Sequence, residues 1–436
     1  MQEKISYLFT PMTPIHKKVF LCFLWGQISC GYTLSIAGTA LAAAEKLLGL
    51  NSFWVGLLGA ATLIGLFGSL VIGPLADKIG RKFLFQWDMV LFAVLSMLQF
   101  FVSNPILLFI IRVGLGIAIA IDYTVGSALL TEWLPEKESP KYQSYLIIFW
   151  MAGFVASYIV GLLFTGFGDE GWRWIIASSA VPTIIASLWR FKENIPESPA
   201  WLASVGRLEE ANTLIQTHIG PEYEAVIPKE TKQEKVSWSE LFSKEVITNT
   251  LTGCIFWSCQ VFPFFGLGIF FPILAKSMNM GNSIFPGLMY NLFTILGAVI
   301  GVIFFNRISR RSYLIWTFYI AAIALAGLTF LQNAGLAITL ILFSVVALVL
   351  SASTVAENPY PAELFDTRLR GSGIGFVIAI SRIGSALGTF LMPVVVDKFG
   401  VSIALGLCVI VLMVGGVYCQ LYAPETSPNF AKKAKP

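Results

Sequence analysis

Charge is scarce in this chain. Asp, Glu, Lys and Arg make up 12% of the residues and apolar types 56%, against about 25% charged in a typical soluble domain. A water-soluble fold is excluded. Histidine is nearly missing: His16 and His218 are the two, and no H-E-x-x-H exists to hold zinc. No Gly is followed by Lys, so there is no nucleotide-binding P-loop. GSGIG (371–375) opens an apolar run and is not a dinucleotide fingerprint. The six cysteines lie inside apolar runs without metal or disulfide spacing. No enzyme, no cofactor, no nucleotide and no nucleic-acid partner is expected. A primary pump would need a separate ATPase.

What is present is long apolar runs. A membrane-crossing helix needs about 20 mostly apolar residues. Twelve segments qualify: 19–44, 52–76, 83–102, 106–132, 142–165, 172–191, 246–277, 284–305, 313–331, 335–358, 369–396 and 401–422. Lys and Arg orient such a chain, because they gather on the cytoplasmic side. With the N-terminus inside, 23 of the 29 fall in inside segments and 4 in outside loops. Arg112 and Arg382 remain, inside spans four and eleven. Both termini are therefore expected in the cytoplasm. The predicted fold class is an all-α membrane protein of twelve transmembrane helices in two pseudo-symmetric six-helix bundles. The predicted domains are an N-terminal bundle (1–191), a cytoplasmic linker with short helices (192–245) and a C-terminal bundle with a tail (246–436). In the linker, ESPAWLASVGRLEEANTLI reads as one helix, capped by Ser198 with Pro199 in its first turn.

The halves repeat. GPLADKIGRK (73–82) follows span two and FFNRISRR (304–311) follows span eight. Asp77 and Asn306 are 229 positions apart, as are Arg81 and Arg310. Span four ends in LLTEWLPEK with Glu132, and span ten in YPAELFDTR with Glu363, 231 further on. Internal repeats of this kind place a substrate site near the bilayer midplane, between the halves.

These motifs carry a resemblance. DKIGRK resembles the G-x-x-x-D-[RK]-x-G-R-[RK] loop of the major facilitator superfamily. PESPAWL (196–202) and AELFDTRLRG (362–371) resemble the P-E-S-P-R-[WY]-L and E-[LI]-F-P-T-R-x-R-G stretches of its sugar-porter-like branch. AIDYTVGSALLTEW resembles the G-[AG]-[DE]-Y-P segment of phosphate porters and metabolite:proton symporters. FVIAISRIGSALG (376–388) resembles the G-R-I-G-S segment of niacin-type organic-ion carriers. The resemblance implies a secondary transporter of a small organic metabolite, an organic anion by its Arg382, moved by alternating access with protons in symport. The expected partners are that small molecule, protons and the lipid bilayer, and the expected state is a monomer in the bacterial inner membrane. A sugar-type facilitator or exporter on the same fold is the alternative, and a nutrient sensor a more distant one. Four departures count. Asn306 and Ser309 replace Asp and Gly in the second loop, and Ala200 replaces Arg in the linker. Thr33 stands where proton-coupled sugar porters carry Asp, removing one proton site. Val261 stands where phosphate porters carry Asp, which argues against phosphate.

A charge at the centre of a membrane helix costs about 2.5–3.5 kcal/mol on insertion scales. Asp122 lies ten residues before Glu132, roughly 15 Å along a helix, so it falls near the midplane. Arg382 lies twelve residues after Arg370, at similar depth in the other half. Asp122 is the proton-site candidate, against a static polar lock. If Arg382 is its partner, a substrate carboxylate that occupies Arg382 releases Asp122 to take a proton. Arg382 either binds an anionic substrate or staples spans ten and eleven. Arg112 is placed near the outer end of span four, snorkelling outward.

Further substrate-binding candidates are Tyr123, Tyr32, Asn358, and Trp257 with Gln260, which share a helix face. With Phe264 and Phe265 the last two would form a partly aromatic wall. Glu357, before the helix-breaking Pro359, is either a gate residue or a second acid. The expected cytoplasmic gate comprises Gly73, Asp77, Gly80, Arg81 and Glu132 in one half and Glu363, Arg368 and Arg370 in the other. Arg81 would pair with Glu132, and Arg368 or Arg370 with Glu363. Asp77 would sit at a helix N-terminus, and Gly73 and Gly80 would permit close helix approach.

Overall fold

The computed structural model describes residues 5–427 except 165, 226–237, 279, 281–283, 306, 332–334, 367 and 368. Among the described residues, twelve helices are long and apolar enough to cross a membrane. In chain order, spans one to six are Pro14–Ala44, Ser52–Ile79, Lys82–Phe101, Pro105–Trp133, Lys141–Phe164 and Gly168–Glu193. Spans seven to twelve are Ile247–Ile269, Ile284–Phe305, Arg310–Phe330, Leu336–Leu364, Ser372–Phe399 and Val401–Tyr422. Each overlaps a segment expected from hydropathy. Helices satisfy their own backbone polar groups, which a lipid interior demands. Local chemistry sets their ends. The Asn104 side chain accepts from Ile106 N and Leu107 N, with Pro105 in the first turn. Gly80 (φ 96°) and Gly400 (φ 86°) end spans two and eleven in the left-handed region, where glycine alone is unstrained.

Packing repeats with the sequence. In the N-terminal half span one lies on five, two on four, and three on six; in the C-terminal half seven lies on eleven, eight on ten, and nine on twelve. Spans one and seven are the most enclosed, 83% and 78% buried over their apolar windows, against 33% for span twelve. They are the inner helices of the two bundles. Where the bundles meet, span two packs on eleven and span five on eight. An even number of spans puts both chain ends on one face, here called the terminal face.

The tight junctions between bundles lie toward the opposite, far face. A Cβ on Gly38 would overlap the Ile269 carbonyl oxygen, and one on Gly56 the Phe390 carbonyl oxygen. A Cβ on Gly287 would run into the Tyr158 ring. Phe53 and Phe390 meet edge to face at 5.5 Å. The molecule is therefore shut at its far face.

On the terminal face the linker forms two helices, Pro199–Ser204 and Leu208–His218, where the sequence pattern suggested one. Gly206 breaks it, at φ 82°. Trp201, Leu202, Ala211 and Ile215 make a small core with Tyr7 from the N-terminal segment. Ile5–Ser6 pairs as a parallel strand with Tyr223–Glu224, and the Tyr7 hydroxyl donates to the Glu132 carbonyl at 2.7 Å.

The far-face junction depends on bare glycine backbones. Gly38→Val should hold that face open. A cysteine placed at Thr389, which is fully buried, should then react with an impermeant thiol reagent at least about tenfold faster, the ratio for 1.4 kcal/mol. An unchanged rate would show that the junction tolerates the side chain.

Candidate functional site

Span four departs from α-helical geometry at Asp122–Gly126, a single π turn. Such turns insert one residue and re-aim side chains, and are frequent at functional sites. Here the turn separates Asp122, which points into the N-terminal bundle, from Tyr123, which points toward the other half.

Asp122 is fully buried. Its partner is Arg190 of span six, not Arg382. The Arg190 Nη2 donates to Asp122 Oδ1, and Nη1 donates to Asp88 Oδ1 of span three at 2.6 Å. Nη1 also donates to the Phe85 carbonyl at 2.6 Å and Nε to the Cys22 carbonyl at 3.3 Å. The guanidinium lies 3.6 Å over the Phe85 ring centroid. Asp122 Oδ2 accepts from Gln27 Nε2 at 3.3 Å and faces the Cys30 thiol at 3.7 Å. Gly26 leaves the room: a side chain there would strike both Arg190 and Asp122. Four spans thus converge on one guanidinium. Arg190 sits at the edge of its apolar run, which is why charge counting placed it in a loop. Asp88 carried a visible signal, a carboxylate inside QWDMVLFAV, by the same logic that exposed Asp122.

Arg382 stands between the halves. It faces Glu357 of span ten and Tyr123 of span four, and its guanidinium lies 5.8 Å from the Trp257 ring centroid. Glu357 faces Trp257 and Gln260 as well. Trp150 Nε1 donates to the Tyr123 hydroxyl at 2.5 Å, and the Trp150 ring packs 6.2 Å from both Phe264 and Phe265. Two acceptors of the C-terminal half are buried without a hydrogen-bond partner, Gln260 Oε1 in this centre and Asn291 Oδ1 on span eight. Unpaired buried polar groups are costly, so the open acceptor on Gln260 beside Arg382 and Glu357 suits a polar ligand. Asn291 and Trp150 were not singled out from sequence. Tyr32 is spent elsewhere, its hydroxyl bonded to Ser178 Oγ at 2.8 Å within the N-terminal bundle. Asn358 is exposed beside Pro359, after a 3-10 turn at Thr354–Ala356.

Arg112 does not snorkel. It is fully buried, its Nε donating to the Leu58 carbonyl at 2.7 Å and Nη1 to Gln99 Oε1 at 3.2 Å. Those acceptors draw it inward between spans two and three.

The terminal-face motifs form two matching networks. Arg81 Nη2 lies 2.8 Å from Asp77 Oδ1 and 3.2 Å from Glu132 Oε1. The N-terminus of span three is capped by Glu197, which accepts from Arg81 N at 3.0 Å and Lys82 N at 3.1 Å. Glu197, not Asp77, therefore meets the positive helix end; Asp77 is exposed and pairs with Arg81. In the other half Arg310 Nε lies 3.3 Å from Glu363 Oε2, and Glu425 caps span nine, accepting from Arg310 N at 3.0 Å and Arg311 N at 3.2 Å. Glu363 is thus held by Arg310, the repeat mate of Arg81. Arg370 is exposed at the start of its helix, and Arg368 and Asn306 lie outside the described residues. Gly80 serves both the turn and a close approach, since a Cβ there would run into Glu197 Oε2 and lie 3.2 Å from the Trp201 ring, whereas Gly73 has only the Thr124 methyl near, at 3.8 Å from a hypothetical Cβ. Each network stays within one bundle. Neither ties one half to the other, so any gating must act through loop position. PESP (196–199) and PETSP (424–428) place the two capping glutamates 228 apart, a third repeat that sequence reading missed.

Two repeated six-helix bundles that meet around a polar centre define a membrane transporter of the major facilitator class. Residues 23–434 match the family model described as sugar (and other) transporter, and the chain belongs to that family. It is a multi-pass integral membrane protein, and its family transports rather than catalyses. It is 33% identical over 420 residues to the inner membrane metabolite transport protein YgcS of Escherichia coli strain K12, covering 95% of this chain and 93% of that one. It is 30% identical over 430 residues to the putative metabolite transport protein YaaU of the same strain, covering 98% and 96%. Among solved structures, the partially occluded inward-open xylose transporter XylE of E. coli matches with a TM-score of 0.80 at 16% identity, covering 97% of this chain and all of that one. That likeness concerns the fold.

Glu425 lies past the last span. Partial burial pushes its carboxyl up, but hydrogen bonds from Ser309 and the backbone of Ser427, Arg310 and Arg311 outweigh this and hold it below the usual glutamate range. A depressed folded value means that its stabilisation is complete above the unfolded glutamate value, about 4.3, and is lost as pH falls through the folded one. Glu425→Gln should therefore flatten the loss of thermal stability between about pH 5 and pH 3. An equal loss in wild type and variant would contradict the capping role.

Proposed function

We propose that the protein is a proton symporter of a small organic anion, working by alternating access with both termini in the cytoplasm. The observation that carries this is Arg382. It is a guanidinium near the middle of the membrane, between the halves, beside the Trp257 ring and close to the unpaired Gln260 Oε1. A planar fork of donors suits a carboxylate, and Trp257 with Phe264 and Phe265 suits a ring or flat chain. The excess of Lys and Arg on terminal-face loops supports the orientation. On that orientation, the shut far face excludes an outward-open state.

Proton coupling rests on Asp122, the acid buried in span four, as the group that loads and unloads. Because Arg190 holds Asp122, the substrate carboxylate on Arg382 acts instead on Glu357, the acid that faces Arg382. Tyr123 and the π turn join the two places. The networks around Arg81 and Arg310 fix the loop ends of each bundle, so that each bundle rocks as a unit.

Neutral sugars are the second reading. Gln260 Oε1 and Asn291 Oδ1 are unpaired acceptors and would take hydroxyl donors well. Thr33, fully buried with an unpartnered hydroxyl, adds another polar group. More distant relatives include a D-xylose transporter of Levilactobacillus brevis at 25% identity.

A thermal-shift screen over organic acids, nicotinate-like rings and neutral sugars separates the readings. Anions should stabilise the wild type, and Arg382→Lys should lose at least about tenfold in affinity, since a bidentate fork cannot be replaced by a point charge. In proteoliposomes, a protonophore should abolish uphill accumulation. A hit list of sugars untouched by Arg382→Lys would overturn the anion reading, and protonophore-insensitive uptake the symport reading.

A further inference from the structure

Two carboxylates share one guanidinium inside the N-terminal bundle. Asp88, Asp122 and Arg190 are 2%, 0% and 2% exposed. Charge counting leaves this group one negative charge in excess. An uncompensated buried charge is costly; the nearby cation Lys82 lines a small cavity beside Arg190 but is half-exposed and makes no ion pair with either carboxylate. The titratable and charged groups facing the cluster are Cys22 and Cys30 from span one, Lys82 at the start of span three, Tyr123 from span four and the three members themselves. The Lys18–Glu193 pair beyond Cys22 is neutral as a unit, with Nζ to Oε2 at 3.1 Å.

The oxygens are not equivalent. Asp122 uses both, one on Arg190 and the other on Gln27 and Cys30. Asp88 uses Oδ1 on Arg190, while its Oδ2 is buried with no hydrogen-bond partner. A carboxylate oxygen in that position is unsatisfied as an anion, whereas a carboxylic acid is neutral.

We propose that Asp88 and Asp122 form a proton-sharing pair on Arg190, and that the transported proton resides on Asp88 Oδ2. This deepens the symport reading and rests on it: the proton site becomes two acids on two spans, not Asp122 alone. With the proton on, the cluster is neutral. Release breaks the Asp88 O–H bond, leaves its electron pair on oxygen and passes the proton to water. A cavity of ≈ 10 Å³ borders Arg190, lined by Lys82, Phe85, Gln86, Leu129 and Ile195, about the space one water needs. Arg190 then holds two anions, and the tension between spans three and four rises. Those spans carry the ends of the Arg81–Glu132 network, so the proton state is felt at the terminal face.

The test needs no substrate. The purified protein in nanodiscs is studied by infrared spectroscopy with and without carboxyl-13C-aspartate. A protonated aspartic carbonyl band should be present at neutral pH and should shift on labelling. The label excludes Glu357, and the other four aspartates, Asp77, Asp169, Asp366 and Asp397, are exposed. Asp88→Asn and Asp122→Asn should each remove the band, because one carboxylate then balances Arg190 without a proton. Asp88→Glu should restore it as an unlabelled glutamic band. A wild type without the band overturns the proposal, and this measurement stands even if a variant fails to fold. A band that persists in Asp88→Asn also overturns it, and assigns the proton to Asp122. Neither result bears on protonophore-sensitive uptake, so symport itself stands or falls separately.

Discussion

The interaction on which the rest depends is the grip of Arg190 on Asp88 and Asp122. It joins spans three, four and six, and reaches span one through the Cys22 carbonyl and Gln27. In lipid no hydrophobic force presses helices together, because the surroundings are as apolar as the side chains. A buried guanidinium with five N–H donors to satisfy is a specific adhesive there. Removing one partner of such a group costs about 3–5 kcal/mol. Gly26 is small because anything larger would enter this cluster. The π turn in span four exists at the point where the chain must satisfy both this cluster and the central site.

The two halves use charge differently. The N-terminal bundle keeps its charges inside itself, sealed from the centre. The C-terminal bundle presents Arg382 and Glu357 to the space between the halves. On the proposed reading, proton and substrate occupy distinct places, linked by one residue step from Asp122 to Tyr123. Close glycine contacts shut the far face, while the terminal-face networks are complete within each bundle. On the proposed alternating-access reading, each bundle moves as a unit and motion falls at the seam between them.

Much of this was legible in the sequence. Twelve apolar runs fix the fold, since in lipid a run of that length has one structure open to it. The repeat of Asp77–Arg81 with Asn306–Arg310 gave the pseudo-symmetry, and the Arg81–Glu132 pair followed from it. Asp122 was visible as a charge in an apolar run. Its partner was not. Depth along a helix says nothing about which way a side chain points, so Arg382 and Asp122, level in the membrane, looked like a pair. Arg190 was discounted because hydropathy windows blur at helix ends, and a long side chain can turn inward as readily as outward. Arg112 went wrong for the same reason. Arg370 was matched to Glu363 by proximity in sequence, where the repeat itself pointed to Arg310.

The central claim is that the proton travels in the N-terminal bundle while the substrate is held elsewhere. The most direct measurement is proton entry counted with a lumenal pH dye during substrate uptake into proteoliposomes, wild type against Asp122→Asn. Substrate-dependent proton entry is expected in the wild type, and in the variant substrate exchange at near wild-type affinity with no proton entry. Proton entry that survives in Asp122→Asn, in step with substrate, would contradict it.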